Sequence, residues 1–155
     1  MRYDIAINKL IRDACFNKSI EVLGGDQYRY FCFNKTAADV LINSIYDVKN
    51  FYNNKVFNIG NFNIKIIDLA RKIHKYFSKN VNFRHEKFNL DNRSYKVSTF
   101  TMSKINKNYL SKKYIDNAFS ETIGNIKKDK RPFDTKKITL NVYANILKKN
   151  NLWGK

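Results

Sequence analysis

Short segments rich in β-branched and aromatic residues alternate with segments of helical periodicity along this chain, and this alternation constrains its fold most. The first helix is predicted over 4–16, because one face carries the apolar stripe Ile7, Leu10, Ile11 and Ala14. Strands that alternate with helices are typical of an α/β layered arrangement. A chain of 155 residues has enough material for one core.

Apolar runs and the residues between them place the other elements. We predict strands at 20–23, 28–33, 55–59 and 81–85, a short extended segment at 95–98, and helices at 37–47, 64–77, 101–108, 116–127 and 138–149. Gly24 and Gly25 are expected to turn the chain between the first two strands. Thr36 and Asn63 are expected to cap the helices that follow them. The strong strands are too few for a self-sufficient doubly wound sheet, so we expect an incomplete one.

The only proline, Pro132, lies in a basic stretch and is expected to end the helix before it. We therefore divide the chain into a region over 1–130 and a basic C-terminal tail over 131–155, with a helix at 138–149. This division places the compact part of the protein before the proline.

The compartment is predicted from what the sequence lacks. No run of about 18 apolar residues occurs, so we expect no membrane-spanning helix. The N-terminus carries no apolar signal-peptide core. Cys15 and Cys32 show no metal-ligand spacing and are expected to be reduced thiols. We therefore expect a cytoplasmic protein with no membrane partner.

The chain is strongly basic, with 30 Lys and Arg residues against 13 Asp and Glu residues and a net charge of +17. A charge of that size attracts polyanions, so a basic nucleic-acid-binding protein is one interpretation. The other interpretation is codon bias, because Lys, Asn, Ile, Tyr and Phe are abundant together. The lysines are dispersed along the chain rather than gathered in one arm, which favours codon bias and disfavours nucleic acid as a partner.

Sequence motifs for catalysis are missing. The sequence contains no glycine-rich dinucleotide or phosphate loop and no hydrolase or zinc motif. No Tyr-x-x-x-Lys pair lies on a plausible helix after a nucleotide-binding strand, and His74 and His85 are far apart. We therefore predict no catalytic residue and no metal ligand in this chain.

Two arginines are candidates for binding an anion. Arg29 follows the glycine turn at the start of a predicted strand, and Arg93 lies between a predicted strand and a helix. The planar guanidinium donates two parallel hydrogen bonds and therefore suits a diphosphate. A surface salt bridge is the alternative for each arginine.

Four segments together resemble the extended short-chain dehydrogenases/reductases, which are NAD-dependent epimerases and dehydratases of nucleotide sugars. The segment at 2–8, RYDIAIN, resembles the family's R-F-D-L-x-x-N. The segment at 20–31, IEVLGGDQYRYF, is similar to its i-x-v-x-G-x-x-q-x-R-x-f hairpin. The segment at 56–70 is similar to the family's v-y-N-v-G followed by E-L-A. The segment at 91–105 is similar to its D-x-R-s-Y-x-v-s followed by K-I.

The resemblance implies a role for each matched position. It implies that Asn8, Arg29 and Arg93 contact the diphosphate of a nucleotide sugar, and that Glu21 and Val22 lie near the base. It also implies the C-terminal part of a Rossmann-type fold, in which the strand at 56–59 is the last parallel strand of the cofactor-domain sheet. The family's cofactor is NAD or NADP.

The sequence departs from the family by lacking the cofactor loop and the Tyr/Lys catalytic pair. Thr36 replaces the family's acidic residue after the aromatic strand, and the segment after Lys104-Ile105 is shortened. We therefore expect a substrate-binding fragment that binds a nucleotide sugar without binding the cofactor or turning over alone. A separate chain that supplies the cofactor domain is a possible partner, and a non-functional remnant is a further alternative.

Overall fold

A computed structural model describes residues 2–47, 56–77, 80–87, 93–134 and 139–149. Its helices are α1 (Ala6–Arg12), α2 (Asn34–Tyr46), α3 (Ile66–Phe77), α4 (Phe100–Ile105), α5 (Lys112–Lys127) and α6 (Thr139–Lys149). Its strands are β1 (Ser19–Leu23), β2 (Tyr28–Phe31), β3 (Phe62–Lys65) and β4 (Asn82–Glu86). A π-helical turn (Asp13–Asn17) extends α1, and a 3₁₀ turn (Lys107–Leu110) precedes α5. The predicted α/β character with a few short strands is confirmed.

The described strands form two small sheets. Strand β1 pairs in parallel with β4, in a register that runs from Ser19↔Asn82 to Leu23↔Glu86. Strand β2 pairs antiparallel with β3, from Tyr28↔Lys65 to Phe31↔Phe62. Strands β1 and β2 therefore do not pair with each other, and the hairpin that the family resemblance implies is not formed. The chain passes through two residues of positive φ between them, and this turn directs β2 away from β1.

One hydrophobic core joins α1, α3, α5 and β1. Its largest fully buried side chains include Ile11, Ile20, Leu69, Ile73, Phe119 and Ile126. The predicted stripes of the first helix and of the helix at 64–77 supply much of this core, because residues spaced three and four apart share a helix face. Burial of each large aliphatic or aromatic side chain stabilises the fold by about 1.5–3 kcal/mol.

The chain on both sides of the predicted boundary at 130 packs against the N-terminal region. Just before the boundary, Asp129 accepts a hydrogen bond of 2.7 Å from the Tyr3 hydroxyl. The Arg12 guanidinium lies 5.0 Å from the ring centroid of Phe133 and 5.3 Å from that of Tyr3. Helix α6 lies where the sequence predicts a helix over 138–149.

The strand predicted at 55–59 is wrong. Lys55 lies outside the described residues, and 56–60 form no strand, with Val56 96% exposed. The strand begins instead at Phe62, because Phe62 and Ile64 pack against the core from alternate positions of β3. The segment at 56–59 is therefore not the parallel strand that the family resemblance implies.

A buried polar network stops β3 at its N-terminal end. The Asn61 side chain is 2% exposed; its Oδ1 accepts from the Phe33 N–H at 2.9 Å, and its Nδ2 donates to Thr36 Oγ1 at 2.9 Å and to the Tyr109 carbonyl at 2.8 Å. Thr36 is fully buried inside α2, and its Oγ1 also lies 3.0 Å from the Tyr114 hydroxyl. Thr36 therefore does not cap α2, because its hydroxyl serves this network.

No helix within the described ranges is long and apolar enough to cross a membrane.

Candidate functional site

A cavity of about 490 Å³ lies between β2 and the start of α1. It is lined by residues 4–6, by Gln27 and 29–32, by Ile66 and by Tyr95. Its volume falls within the range of small-molecule sites in proteins. The lining brings together one predicted site residue, Arg29, with aromatic side chains that suit a flat ligand group.

Arg29 is held at this cavity by groups on either side of it. Its Nη1 donates to the Tyr28 carbonyl at 2.8 Å and to the Arg93 carbonyl. Its guanidinium carbon lies 5.2 Å from the ring centroid of Tyr95, within the range of a cation–π interaction. These contacts fix the direction of a permanent positive charge at the wall of the cavity.

The segment at 93–97 reaches β2 and β3 through main-chain contacts. The Tyr28 N–H donates to Ser94 Oγ at 3.0 Å, and the Tyr95 N–H donates to the Tyr28 carbonyl at 3.4 Å. The Asn63 side chain both donates to and accepts from the main chain of Val97, at 2.8 Å in each case. Asn63 therefore lies in β3 and fastens this segment, and its predicted role as a helix cap is wrong.

Two lysines lie near the same strand. Lys96 Nζ is 4.0 Å and Lys65 Nζ is 5.8 Å from the ring centroid of Tyr28, and Lys65 also forms an ion pair of 3.1 Å with Asp26. Sequence inspection missed both lysines, because the 28↔65 register brings Lys65 to β2 and the hydrogen bonds of the segment at 93–97 bring Lys96 there, and no local pattern encodes either. Successive side chains of a strand point to opposite faces, so both lysines lie with Tyr28 on the face opposite the Arg29 side chain, and neither lines the cavity.

The other residues implied by the family resemblance lie elsewhere. Asn8 is on α1, where its Nδ2 donates to the Arg2 carbonyl at 2.7 Å. Glu21 is on the exposed side of β1, 3.9 Å from Arg84, whereas Val22 is 3% exposed in the core. Of the five residues, Arg29 alone lines the cavity, and Arg93 meets it through its main-chain carbonyl.

Tyr30 lines the cavity, and its ring is packed tightly against Gly60. A Cβ built on Gly60 would lie 2.4 Å from two ring carbons of Tyr30. Burial raises the pKa of the Tyr30 phenol, so the group is neutral at physiological pH. In the described part of the chain, no hydrogen-bond partner reaches its buried hydroxyl.

Replacing Tyr30 with phenylalanine is therefore expected to preserve or improve stability. A buried hydroxyl without a partner costs about 1–3 kcal/mol, and the variant Tyr30→Phe removes it while keeping the ring against Gly60. We expect the free energy of unfolding in urea to stay level or rise by about 1 kcal/mol. A clear loss of stability would show that the hydroxyl is bonded in solution.

Metal ligation is not supported by the described residues, which contain no cluster of three His, Cys, Asp or Glu side chains able to hold an ion. Nε2 of His74 lies 2.9 Å from the Val81 carbonyl, and Nε2 of His85 lies 2.7 Å from the Gly24 carbonyl. Both histidines therefore have structural hydrogen bonds to the main chain.

Comparison with models of protein families finds none that matches this chain, and comparison with curated proteins finds no relative.

Proposed function

We propose that this chain is the substrate-binding part of an NAD-dependent nucleotide-sugar epimerase or dehydratase, and that it binds the ligand's diphosphate beside Arg29. The observation that carries the proposal is the placement of Arg29 at the wall of a cavity of ligand size, where the carbonyls of Tyr28 and Arg93 and the ring of Tyr95 hold its guanidinium. A guanidinium held in one direction suits a diphosphate, because its planar fork donates two parallel hydrogen bonds.

The order of the four family-like segments supports the nucleotide sugar over other anions. The segment that contains Arg29 and the segment that contains Arg93 both resemble the family, and in the fold they touch. Tyr95, which is 51% exposed and lines the cavity, offers an aromatic face for a ring of the ligand.

Chemistry on the sugar would require residues and a cofactor from outside these 155 residues. Asp4 is the one carboxylate in the lining, and it is paired with Arg2 at 2.8 Å. In the parent reaction NAD or NADP carries the hydride, while the protein orients the substrate. We therefore propose that this chain binds nucleotide sugar without binding the cofactor, and that a separate polypeptide or segment would supply the cofactor domain.

Loss of Arg29 is expected to abolish most of the binding. Calorimetry with UDP-glucose and dTDP-glucose, in about 150 mM salt, should give at least a ten-fold weaker Kd for Arg29→Ala, because a hydrogen bond to a charged group contributes about 1.5–3 kcal/mol. The Kd of Arg29→Lys should lie between those of the native chain and of Arg29→Ala, since lysine keeps the charge and lacks the planar fork. Arg93→Ala is expected to weaken binding less than Arg29→Ala does, because Arg93 holds Arg29 through its main-chain carbonyl, which alanine keeps.

Arg71→Ala is the matched control. Arg71 is on α3, its side chain is 59% exposed, and it pairs with Asp68 away from the cavity lining. The variant removes the same charge, so its Kd should equal that of the native chain. Equal losses in Arg29→Ala and Arg71→Ala would indicate non-specific attraction by the net charge and would contradict the proposal.

A further inference from the structure

The main chain of β2 is directed alternately toward β3 and away from it. The Ile66 N–H donates to the Gln27 carbonyl at 3.2 Å, which places Gln27 among the residues that bond toward β3. In an antiparallel pair, such residues alternate with residues whose N–H and C=O point to the other side. By the observed register, Arg29 and Phe31 bond toward β3, whereas Tyr28 and Tyr30 face the opposite edge.

The two residues whose main chain faces away from β3 differ in their hydrogen-bond partners. Tyr28 is bonded by the segment at 93–97, through Ser94 Oγ and the Tyr95 N–H. Tyr30 is the next outward position and lines the cavity. Among the described residues, no hydrogen bond occupies the outward N–H or C=O of Tyr30. One main-chain donor and one acceptor therefore lie open at the cavity, directly after Arg29 in the chain.

We propose that the main chain of Tyr30 binds the lactam edge of the ligand's nucleobase, in which a ring N–H stands beside a carbonyl. This inference rests on the proposed function and adds the class of base. Uracil, thymine and guanine have such an edge, whereas adenine and cytosine do not. The base carbonyl accepts from the Tyr30 N–H, and the ring N–H donates to the Tyr30 carbonyl.

A sugar hydroxyl fits this edge less well than a lactam does. The donor and the acceptor of Tyr30 are separate atoms along the strand, and a lactam also carries its donor and acceptor on separate atoms. Two neighbouring sugar hydroxyls can also supply a donor and an acceptor, but each rotates about its C–O bond, whereas a lactam holds both in one rigid plane. The neighbouring Arg29 then holds the phosphates, so the two adjacent residues of β2 bind the two ends of a nucleoside diphosphate.

This placement differs from the base position near Glu21 and Val22 that the family resemblance implies. Val22 is buried, Glu21 is directed to solvent, and neither lines the cavity. The main-chain edge beside the cavity belongs to β2, because β1 pairs with β4 along one edge and none of its residues lines the cavity. The base site therefore belongs with Tyr30.

Nucleotides that differ by one methyl group test the inference. Calorimetry on the full chain compares UDP with 3-methyl-UDP and GDP with 1-methyl-GDP, since methylation of the ring nitrogen removes its hydrogen. Inorganic pyrophosphate measures the phosphate site alone. We expect methylation to weaken at least one pair by about ten-fold, which corresponds to the loss of one hydrogen bond. The pair that responds identifies the base.

The outcomes separate this inference from the proposed function. If UDP or GDP binds, and binding depends on Arg29 but methylation changes neither pair, the base site is overturned and the diphosphate site stands. If pyrophosphate and both nucleotides bind equally to native chain and to Arg29→Ala, or do not bind at all, the proposed function is overturned, and the base site with it.

Hydrogen exchange of the β2 amides gives a second readout. In the unliganded chain, the amides of Arg29 and Phe31 should be protected by β3, whereas the Tyr30 amide should exchange faster. Saturating UDP or GDP should slow Tyr30 by about ten-fold or more and leave its neighbours little changed. Strong protection of Tyr30 before ligand is added would overturn the inference. Tyr30→Phe keeps this main chain, so its response to methylation should match that of the native chain.

Discussion

Replacement of Gly25 by alanine is expected to destabilise the protein by about 3 kcal/mol or more. Gly25 has a φ of +102°, which L-residues rarely adopt, and an added Cβ would lie 2.9 Å from Val22 Cγ1 and 3.0 Å from Ile67 Cβ. The Gly25 carbonyl also accepts from the Ile67 N–H at 2.9 Å, so the backbone cannot simply move away from α3. Urea unfolding of Gly25→Ala measures the loss.

Gly124→Ala is the matched control for this substitution. Gly124 lies inside α5, and no atom within 4 Å would meet an added Cβ. Alanine is a better helix former than glycine by about 0.8–1.0 kcal/mol, so this variant should be more stable than the native chain. The same chemical change should therefore have opposite signs at the two sites. Equal effects would show that the turn between β1 and β2 lacks the described geometry.

Replacement of Asn61 by alanine should lower the free energy of unfolding by about 3 kcal/mol. It removes three hydrogen bonds of the buried network and leaves the Phe33 N–H and the Tyr109 carbonyl without partners. Each buried group left unsatisfied costs about 1–3 kcal/mol. The Thr36 hydroxyl keeps its hydrogen bond with the Tyr114 hydroxyl and adds less to this cost. Chemical unfolding monitored by circular dichroism measures the change.

Asn43→Ala provides the comparison, because Asn43 is exposed on α2. Surface substitutions of this kind usually change stability by less than about 0.5 kcal/mol. If Asn61→Ala is as mild as Asn43→Ala, the network does not join α2 to the 3₁₀ turn as described.

Local periodicity predicted the helices well, because the apolar residues of one helix face lie only three or four positions apart in the sequence. Leu69, Ala70 and Ile73 recur on one face of α3, and all three are fully buried. The strand predicted at 55–59 failed for the opposite reason. Its apolar residues resemble those of β3, but pairing begins only after Asn61, whose buried side chain bonds to residues that are distant in the sequence.

The candidate site was predictable only in part. Arg29 and Arg93 could be named from their context, and the fold brings them into contact. The role of Tyr30 could not be named, because it depends on the register of β2 with β3 and on which edge of β2 is covered. Sequence patterns indicate which face of a strand is apolar, but they do not indicate which edge is open.

The bond between Tyr3 and Asp129 joins residues 126 positions apart, and α1 packs against α5 in the same core. During synthesis on the ribosome, α1 would therefore emerge long before the helix that covers it. Strand β1 and α3 emerge earlier and cover part of its apolar stripe, but the part that α5 covers stays open until then, and closing so long a loop carries an entropic cost that local helices do not. We infer that cooperative folding waits for nearly the whole chain, and that translation pausing before α5 would prolong the interval in which this stripe is open to chaperones.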